Sequence, residues 1–454
     1  LLEQAWCLSS INQTIIKQRI FLRQRPAVWE EVLRSSFSLI HRYVGLVMAI
    51  FLLIAGLTGA ILAWYHELDA AMNPQWMRVQ PRSPNAQPLD PFSLHKQAQA
   101  YYPEARIDYI VLRNRPGEAI AYRLEPSGDS GTRQRADLAN DEIFLDPYTG
   151  SVLGERKWGA ITQGWHNLLP FIYKLHYALA LDQLGVFLMG IVAVLWTVDC
   201  FVGAYLTFPA SLRKKRYSSA DPIRKHWWRR WKPAWKVRWK GNRYKVNFDL
   251  HRAGGLWTWA MLFVLAWSSV SFNMQEVYHP VMRTLFTMQP DAWQTIPQLP
   301  APQAEPGMDW PAALVAGRRL MADLAQTKGF SIRREENLSY IPSMGVFRYQ
   351  VLSDLDIGDK YGGTNVFFDS STGRQVGAYV PTGEAAGDTV TNWLAVLHIA
   401  AIWGIPFKIF ITVMGIAVSM LSITGVYIWW KKSRSRQLNR RRRIPAAASS
   451  RIHD

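Results

Sequence analysis

The stretch from Ser38 to His66, SLIHRYVGLVMAIFLLIAGLTGAILAWYH, limits what this chain can become more than any other part of it. An apolar run of roughly 20 residues crosses a bilayer, so this one reads as a transmembrane helix. A histidine stands near each end, His41 and His66. At about 100° per residue the two fall within roughly 20° of one another around the helix and about 37 Å apart along it. Spanning needs histidine at neither position, and ionisable groups in or beside a span are functional candidates by default.

Comparable runs place spans at about 41–65, 185–208, 251–275 and 406–430. Of the 454 residues 49% are apolar, too few for a chain held wholly in lipid. The segments between the first two spans and between the last two are each long enough to fold. The formal charge of +18 gathers at the short flanks: Lys17, Arg19, Arg23 and Arg25 before the first span, 14 Lys or Arg between Pro209 and Leu250, then Lys431, Lys432 and the arginines at 440–443. The positive-inside rule therefore puts both termini and the middle loop in the cytoplasm, and the two long segments outside it. That distribution argues for membrane lipids as partners and against nucleic acid. The tract KHWWRRWKPAWKVRWK at 225–240 alternates Trp with cations, as an interfacial belt on anionic lipid does.

Two cysteines, Cys7 and Cys200, provide no disulfide framework. The first 35 residues lack a continuous apolar core, so the first span is expected to be an uncleaved anchor. Those 35 residues read equally as a helix on the membrane surface or as a solvated extension.

The chain repeats itself. Ile40-His41-Arg42 opens the first span and Leu250-His251-Arg252 the third; Lys-Leu-His at His176 precedes the second and Val-Leu-His at His398 the fourth. FLDPYTG (144–150) and FFDSSTG (367–373) place the same Asp-x-x-Thr-Gly turn in each long segment, behind a helical stretch and among strand patterns. The expected fold is an α-helical membrane protein with four transmembrane helices in a pseudo-twofold repeat along the membrane normal, bearing two α+β extracytoplasmic modules. Equivalent histidines then face one another across the bundle axis.

His41 and His251 suit a planar haem between two imidazoles, with Arg42 and Arg252 near the propionates. No C-x-x-C-H occurs, so attachment is expected to be non-covalent, as haem b. The alternative makes them interfacial residues without a metal. On the outer side His66, His166, His176, His279 and His398 are available. Symmetry ranks His176 with His398 first, His66 second for the face it shares with His41, and His279 third. Two such haems form a transmembrane electron wire. Asp199, the acid well inside a span, is expected to accept a hydrogen bond from a ligating histidine, to relay protons, or to pair with an arginine. Ser268, Ser269, Ser271 and Asn273 read as helix-packing contacts. No dinucleotide fingerprint, Walker A loop, H-E-x-x-H or nucleophile elbow occurs, so electrons must come from a separate donor, cytoplasmic or a quinol.

The doubled order of His-Arg span, DxxTG module and Leu-His span, covering about 36–430, resembles the PepSY-associated transmembrane family. That resemblance implies periplasmic PepSY modules, an inner-membrane location, two haem b, and reduction of a ferric siderophore to release weakly held Fe(II), which makes the chain an oxidoreductase of iron uptake. Carried over, it implies His41, His251, His176 and His398 as axial ligands. The divisions expected are an extension 1–35, the first span 36–66, a module 67–165, interfacial helix and second span 166–208, a basic loop 209–250, the third span 251–279, a module 280–388, interfacial helix and fourth span 389–430, and a basic tail 431–454. Competing readings are a non-redox membrane sensor or protease regulator, and a dihaem donor to a soluble periplasmic partner.

Overall fold

In the computed structural model residues 2–81, 83, 86–127, 138–210 and 227–449 are described, the side chains of 2–28 and 439–449 excepted. The basic residues 213–216 and Lys225 lie outside that description, as do the side chains of Lys17, Arg19, Arg23, Arg25 and the arginines at 440–443. The helices are α1 (Leu2–Leu62), α2 (Tyr65–Met72), α3 (Pro74–Met77), α4 (Pro91–Tyr101), α5 (Leu168–Ala178), α6 (Asp182–Thr207), α7 (Trp227–Trp231), α8 (Arg243–Asn273), α9 (Gln275–Leu285), α10 (Ala292–Thr295), α11 (Trp310–Lys328), α12 (Ala386–His398) and α13 (Gly404–Ser449). The strands are β1 (Ala105–Arg106), β2 (Tyr109–Val111), β3 (Ile120–Arg123), β4 (Glu125–Pro126), β5 (Glu142–Leu145), β6 (Val152–Arg156), β7 (Ile332–Ile341), β8 (Val346–Ser353), β9 (Thr364–Asp369) and β10 (Gln375–Tyr379).

Among the described residues four helical stretches are long and apolar enough to cross a membrane: Trp29–Leu62, Asp182–Thr207, Arg243–Asn273 and Gly404–Leu438. They fall where the hydropathy puts them, but the helices overrun the apolar windows. Residues 2–35 continue into the span as one helix, residues 243–250 belong to α8 rather than to the loop, and residues 431–449 prolong α13. Lys, Arg, Gln, Leu and Ala are strong helix formers, so loss of apolar character alone does not end a helix.

The chain divides into two compact units, residues 1–56, 192–266 and 416–454 in the first, 57–191 and 267–415 in the second. In the first, Met48, Val202, Leu256 and Val418, one from each long helix, are buried. Val47, Ile50, Phe201 and Ile423 on the same helices stay exposed. An exposed apolar surface of this kind is what a lipid-facing helix presents.

The second unit carries the sheets. β3, β5 and β6 form a three-stranded antiparallel sheet whose Tyr122, Ile143 and Leu145 pack with Leu94 and Ala98 of α4. A five-stranded antiparallel sheet runs β10-β9-β8-β7-β2, and Ala313, Leu314 and Met321 of α11 pack on its Leu338, Phe347, Tyr349 and Phe368. A Cβ on Gly317 would stand 2.9 Å from that of Tyr349, so the helix can approach the sheet this closely only without one. Asp90 and Asp309 cap the starts of α4 and α11. Each DxxTG turn closes a hairpin, β5–β6 or β9–β10. Asp146 accepts from Tyr148 N (2.7 Å) and Asp369 from Thr372 N (2.7 Å), with Gly150 and Gly373 at φ 73° and 67°.

The two expected modules are not separate bodies. β2, from the segment assigned to the first, pairs with β7 of the second in the register Ile110↔Leu338, and Ile110 is fully buried there. A three-residue strand gains little from its own short sheet and more by covering an open edge.

One buried ion cluster ties this unit together. Arg156 of β6 donates to both carboxylate oxygens of Asp69 on α2 (3.1 and 2.9 Å), to Glu142 of β5 (2.6 Å) and to the His166 carbonyl (3.0 Å). Asn73 adds a bond to Asp69 at 2.7 Å. Arg156 and Asp69 are 2% and 1% exposed, so removing the cation strands two carboxylates. Arg156→Ala is expected to cost about 3–5 kcal/mol, read as a fall in Tm of the purified protein; an unchanged Tm would show that the cluster contributes nothing.

Candidate functional site

In the first unit His41 of α1 faces His251 of α8 with ring centres 6.0 Å apart and planes at 57°. Each ring is held through Nδ1 by the helix beside it. His41 Nδ1 lies 2.9 and 3.0 Å from the two carboxylate oxygens of Asp199 on α6. His251 Nδ1 lies 3.0 Å from the Leu421 carbonyl and 3.1 Å from the Thr424 hydroxyl on α13. A carboxylate and a carbonyl only accept, so Nδ1 carries a proton on both rings.

One turn beyond each anchor stands a glycine. A Cβ on Gly203 would lie 3.5 Å from His41 Cε1, and one on Gly425 3.2 Å from His251 Cε1. Anchor and glycine, at i and i+4, share a helix face and together fix where the imidazole can stand.

A cavity of about 900 Å³ surrounds this pair, within the range of cofactor sites. Its wall is mostly apolar, with Arg34, Arg42, Arg252 and Lys432 among its polar members. Arg252 was expected to face the cavity. It borders it, yet its guanidinium is committed elsewhere, to the carbonyls of Pro233 (2.8 Å) and Ala234 (3.2 Å) and to Asp249 (3.0 Å). Lys432 and Arg34 are cavity cations that the sequence reading passed over. Each lies seven residues, two helical turns, from Gly425 or His41, a spacing that would have put them on the same face.

In the second unit His176, in the last turn of α5, faces His398 at the end of α12, ring centres 6.3 Å apart and planes at 76°. Their Nδ1 atoms lie 2.9 Å from the Thr58 hydroxyl and 2.6 Å from that of Ser268. Thr58 and Ser268 each stand 17 residues after His41 and His251. Ser268 is thus an imidazole anchor, where the sequence suggested only helix packing. Gly59 leaves room beside His176, 3.1 Å from its Cε1 to a hypothetical Cβ, and Phe272 lies 5.3 Å from the His398 ring. Burial, with a smaller contribution from His176, pushes His398 down to about 3, so its ring is neutral and able to bind a metal.

Both outer histidines are followed by strained backbone. Among the described residues the non-glycine positive φ values fall at Leu179, Ala180, Asp182, Ala400 and Trp403, all in the two connections from these short helices to α6 and α13. Each such residue costs on the order of 1 kcal/mol or more and persists where the surroundings dictate the turn.

The other outer candidates stand apart from this pair. His66 turns Nε2 to Glu118 at 3.2 Å, His166 lies on Trp76 with centres 4.9 Å apart, and His279 meets the Tyr278 ring at 5.9 Å. His66 is therefore not brought opposite another imidazole.

Two imidazoles bound on opposite sides of one metal, at about 2 Å per bond, have ring centres roughly 6 Å apart. Both pairs meet that separation. Among the described residues no group of three or more His, Cys, Asp or Glu is arranged to hold a bare ion. At His41 and His251 two facing imidazoles with Nδ1 engaged, in a mostly apolar wall that also carries Arg42, Lys432, Glu30 and Glu31, fit a metal whose remaining ligands come from a planar macrocycle, as in haem.

The family model for the PepSY-associated TM region matches residues 38–432. No curated protein matches the chain. The match takes in all four imidazoles, the second and third long apolar helices whole and most of the first and fourth, and the chain belongs to that family.

Proposed function

We propose that this member of the PepSY-associated TM region family is a dihaem electron-transfer protein of the bacterial inner membrane, which reduces a ferric siderophore on the periplasmic side. The observation that carries this reading is the pair of facing imidazoles found in each unit, all four rings anchored through Nδ1. The basic flanks support cytoplasmic termini, and hence a cytoplasmic His41–His251 pair and periplasmic α+β modules. The doubled motifs support a pseudo-twofold repeat.

When bound, haem b supplies a one-electron carrier that cycles between ferric and ferrous iron. The residues of the chain do the rest. His41 with His251, and His176 with His398, would hold the two haems; Arg42 and Lys432 would meet the propionates of the first, where Arg252 would contribute less because Asp249 and the loop carbonyls engage it. Apolar walls exclude water. One electron from a cytoplasmic or quinol donor enters, and one leaves to the Fe(III) chelate, whose Fe(II) product is held weakly and dissociates.

The purified protein is expected to show a Soret band and a split α-band on dithionite reduction, and two haem b per chain by pyridine haemochrome. A colourless preparation would overturn the proposal and favour the sensor reading. Prereduced protein should be reoxidised by ferric siderophore; failure with several chelates would favour a soluble partner as acceptor. His251→Ala should lose about half of the haem while staying in the membrane, and full retention would remove the His41–His251 site.

Asp199 places a carboxylate at His41 Nδ1, which would strengthen that imidazole as a ligand and favour the oxidised metal. Asp199→Asn is expected to raise the midpoint potential of one haem and leave the other unchanged. Redox titration followed by absorbance checks this, and two unshifted potentials would deny Asp199 that role.

A further inference from the structure

The loop before α8 is clasped onto that helix at successive carbonyls. Arg252 donates to Pro233 (2.8 Å), Ala234 (3.2 Å) and Lys236 (3.4 Å), while Trp257 Nε1 donates to Trp235 (3.1 Å). Asp249, fully buried, accepts from Arg238 at N (3.1 Å), Nε (2.6 Å) and Nη2 (2.9 Å) and from Arg252 at 3.0 Å. A topology signal needs only the number of cations in a loop. Here Asp249 fixes Arg238 and Arg252, and Arg252 and Trp257 fix the backbone that carries the lysines.

The result is a cavity of about 420 Å³ walled by Arg229, Lys232, Pro233, Lys236, Arg238 and Arg252. Among the described residues five cations border this space, and two of them, Arg238 and Arg252, already engage the oxygens of Asp249. Among the described residues Arg229, Lys232 and Lys236 have no carboxylate partner. Like charges converging on a shaped cavity repel unless an anion enters it, and guanidinium and ammonium groups together match phosphate oxygens. Trp227, Trp228 and Trp239 of the same segment are 40%, 67% and 69% exposed, as rings at a headgroup layer are.

We propose that this cavity binds a phosphate group, carried by an anionic lipid headgroup or by a soluble phosphate. The site is independent of the imidazole pairs, although Arg252 borders both cavities.

The test uses the delipidated full chain in detergent, with dihexanoyl phosphatidylglycerol, dihexanoyl phosphatidylcholine and inorganic phosphate as probes, followed by native mass spectrometry and calorimetry. Wild type is expected to bind a phosphate-bearing probe at least ten-fold more tightly than the Arg229→Gln/Lys232→Gln/Lys236→Gln variant, with the gap narrowing at high salt. The Lys232→Arg/Lys236→Arg variant, which keeps the charge, should bind as wild type does. Binding of phosphatidylglycerol alone supports the proposal with lipid as the source, and competition by inorganic phosphate supports it with a soluble one. Equal binding by wild type and the neutral variant, or no binding by wild type, overturns it.

Discussion

A buried imidazole offers a nitrogen to a partner only if its other nitrogen is satisfied, because an unpaired polar atom in an apolar wall costs about 1–3 kcal/mol. The four facing rings of this protein solve that problem in the same way, through Nδ1, with anchors of different chemistry. Asp199 and the Leu421 carbonyl are acceptors only and fix the tautomer of His41 and His251. Thr58 and Ser268 are hydroxyls, which position His176 and His398 without dictating the proton. Close-packed helices would normally fill the space beside such rings with side chains. Gly203, Gly425 and Gly59 keep that space open.

The second unit shows how much structure is needed to hold one such pair. His176 and His398 lie at the ends of short helices, not within long ones, so their placement depends on where α5 and α12 are held. Arg156 joins α2, the β5–β6 hairpin and the His166 carbonyl just before α5. On the other side Asp388, in the first turn of α12, accepts from Gln289 N at 2.8 Å. The left-handed residues after each histidine then turn the chain into α6 and α13. Sheets, ion cluster and strained turns act on the same short segments, which is how strain of that kind is sustained.

Much of this could be read from the residues because it rests on local patterns. Apolar length revealed the long helices, the His-Arg and Leu-His echoes picked out the four rings, and an acid within a span marked Asp199. What stayed hidden depends on tertiary reach. Nothing in the sequence around Ser268 separates an imidazole anchor from a packing serine; only its spacing from His251, equal to that of Thr58 from His41, carries the signal. Arg252 looked like a cavity cation because it follows His251, but consecutive helical residues point about 100° apart, and its guanidinium finds the loop instead. β2 joins the distant sheet through three residues, too few for any periodicity to show.

The two anchor chemistries also bear on direction. Asp199 and Leu421 occupy corresponding places, each four residues before the glycine that faces a ring, yet one contributes a full charge and the other a carbonyl dipole. The pair in the second unit has a hydroxyl at each Nδ1. A negative charge hydrogen-bonded to an axial imidazole favours the oxidised metal and so lowers its potential, whereas a neutral hydroxyl does so far less. Under the proposed function Asp199 would lower the potential of the His41–His251 site and so favour passing its electron on.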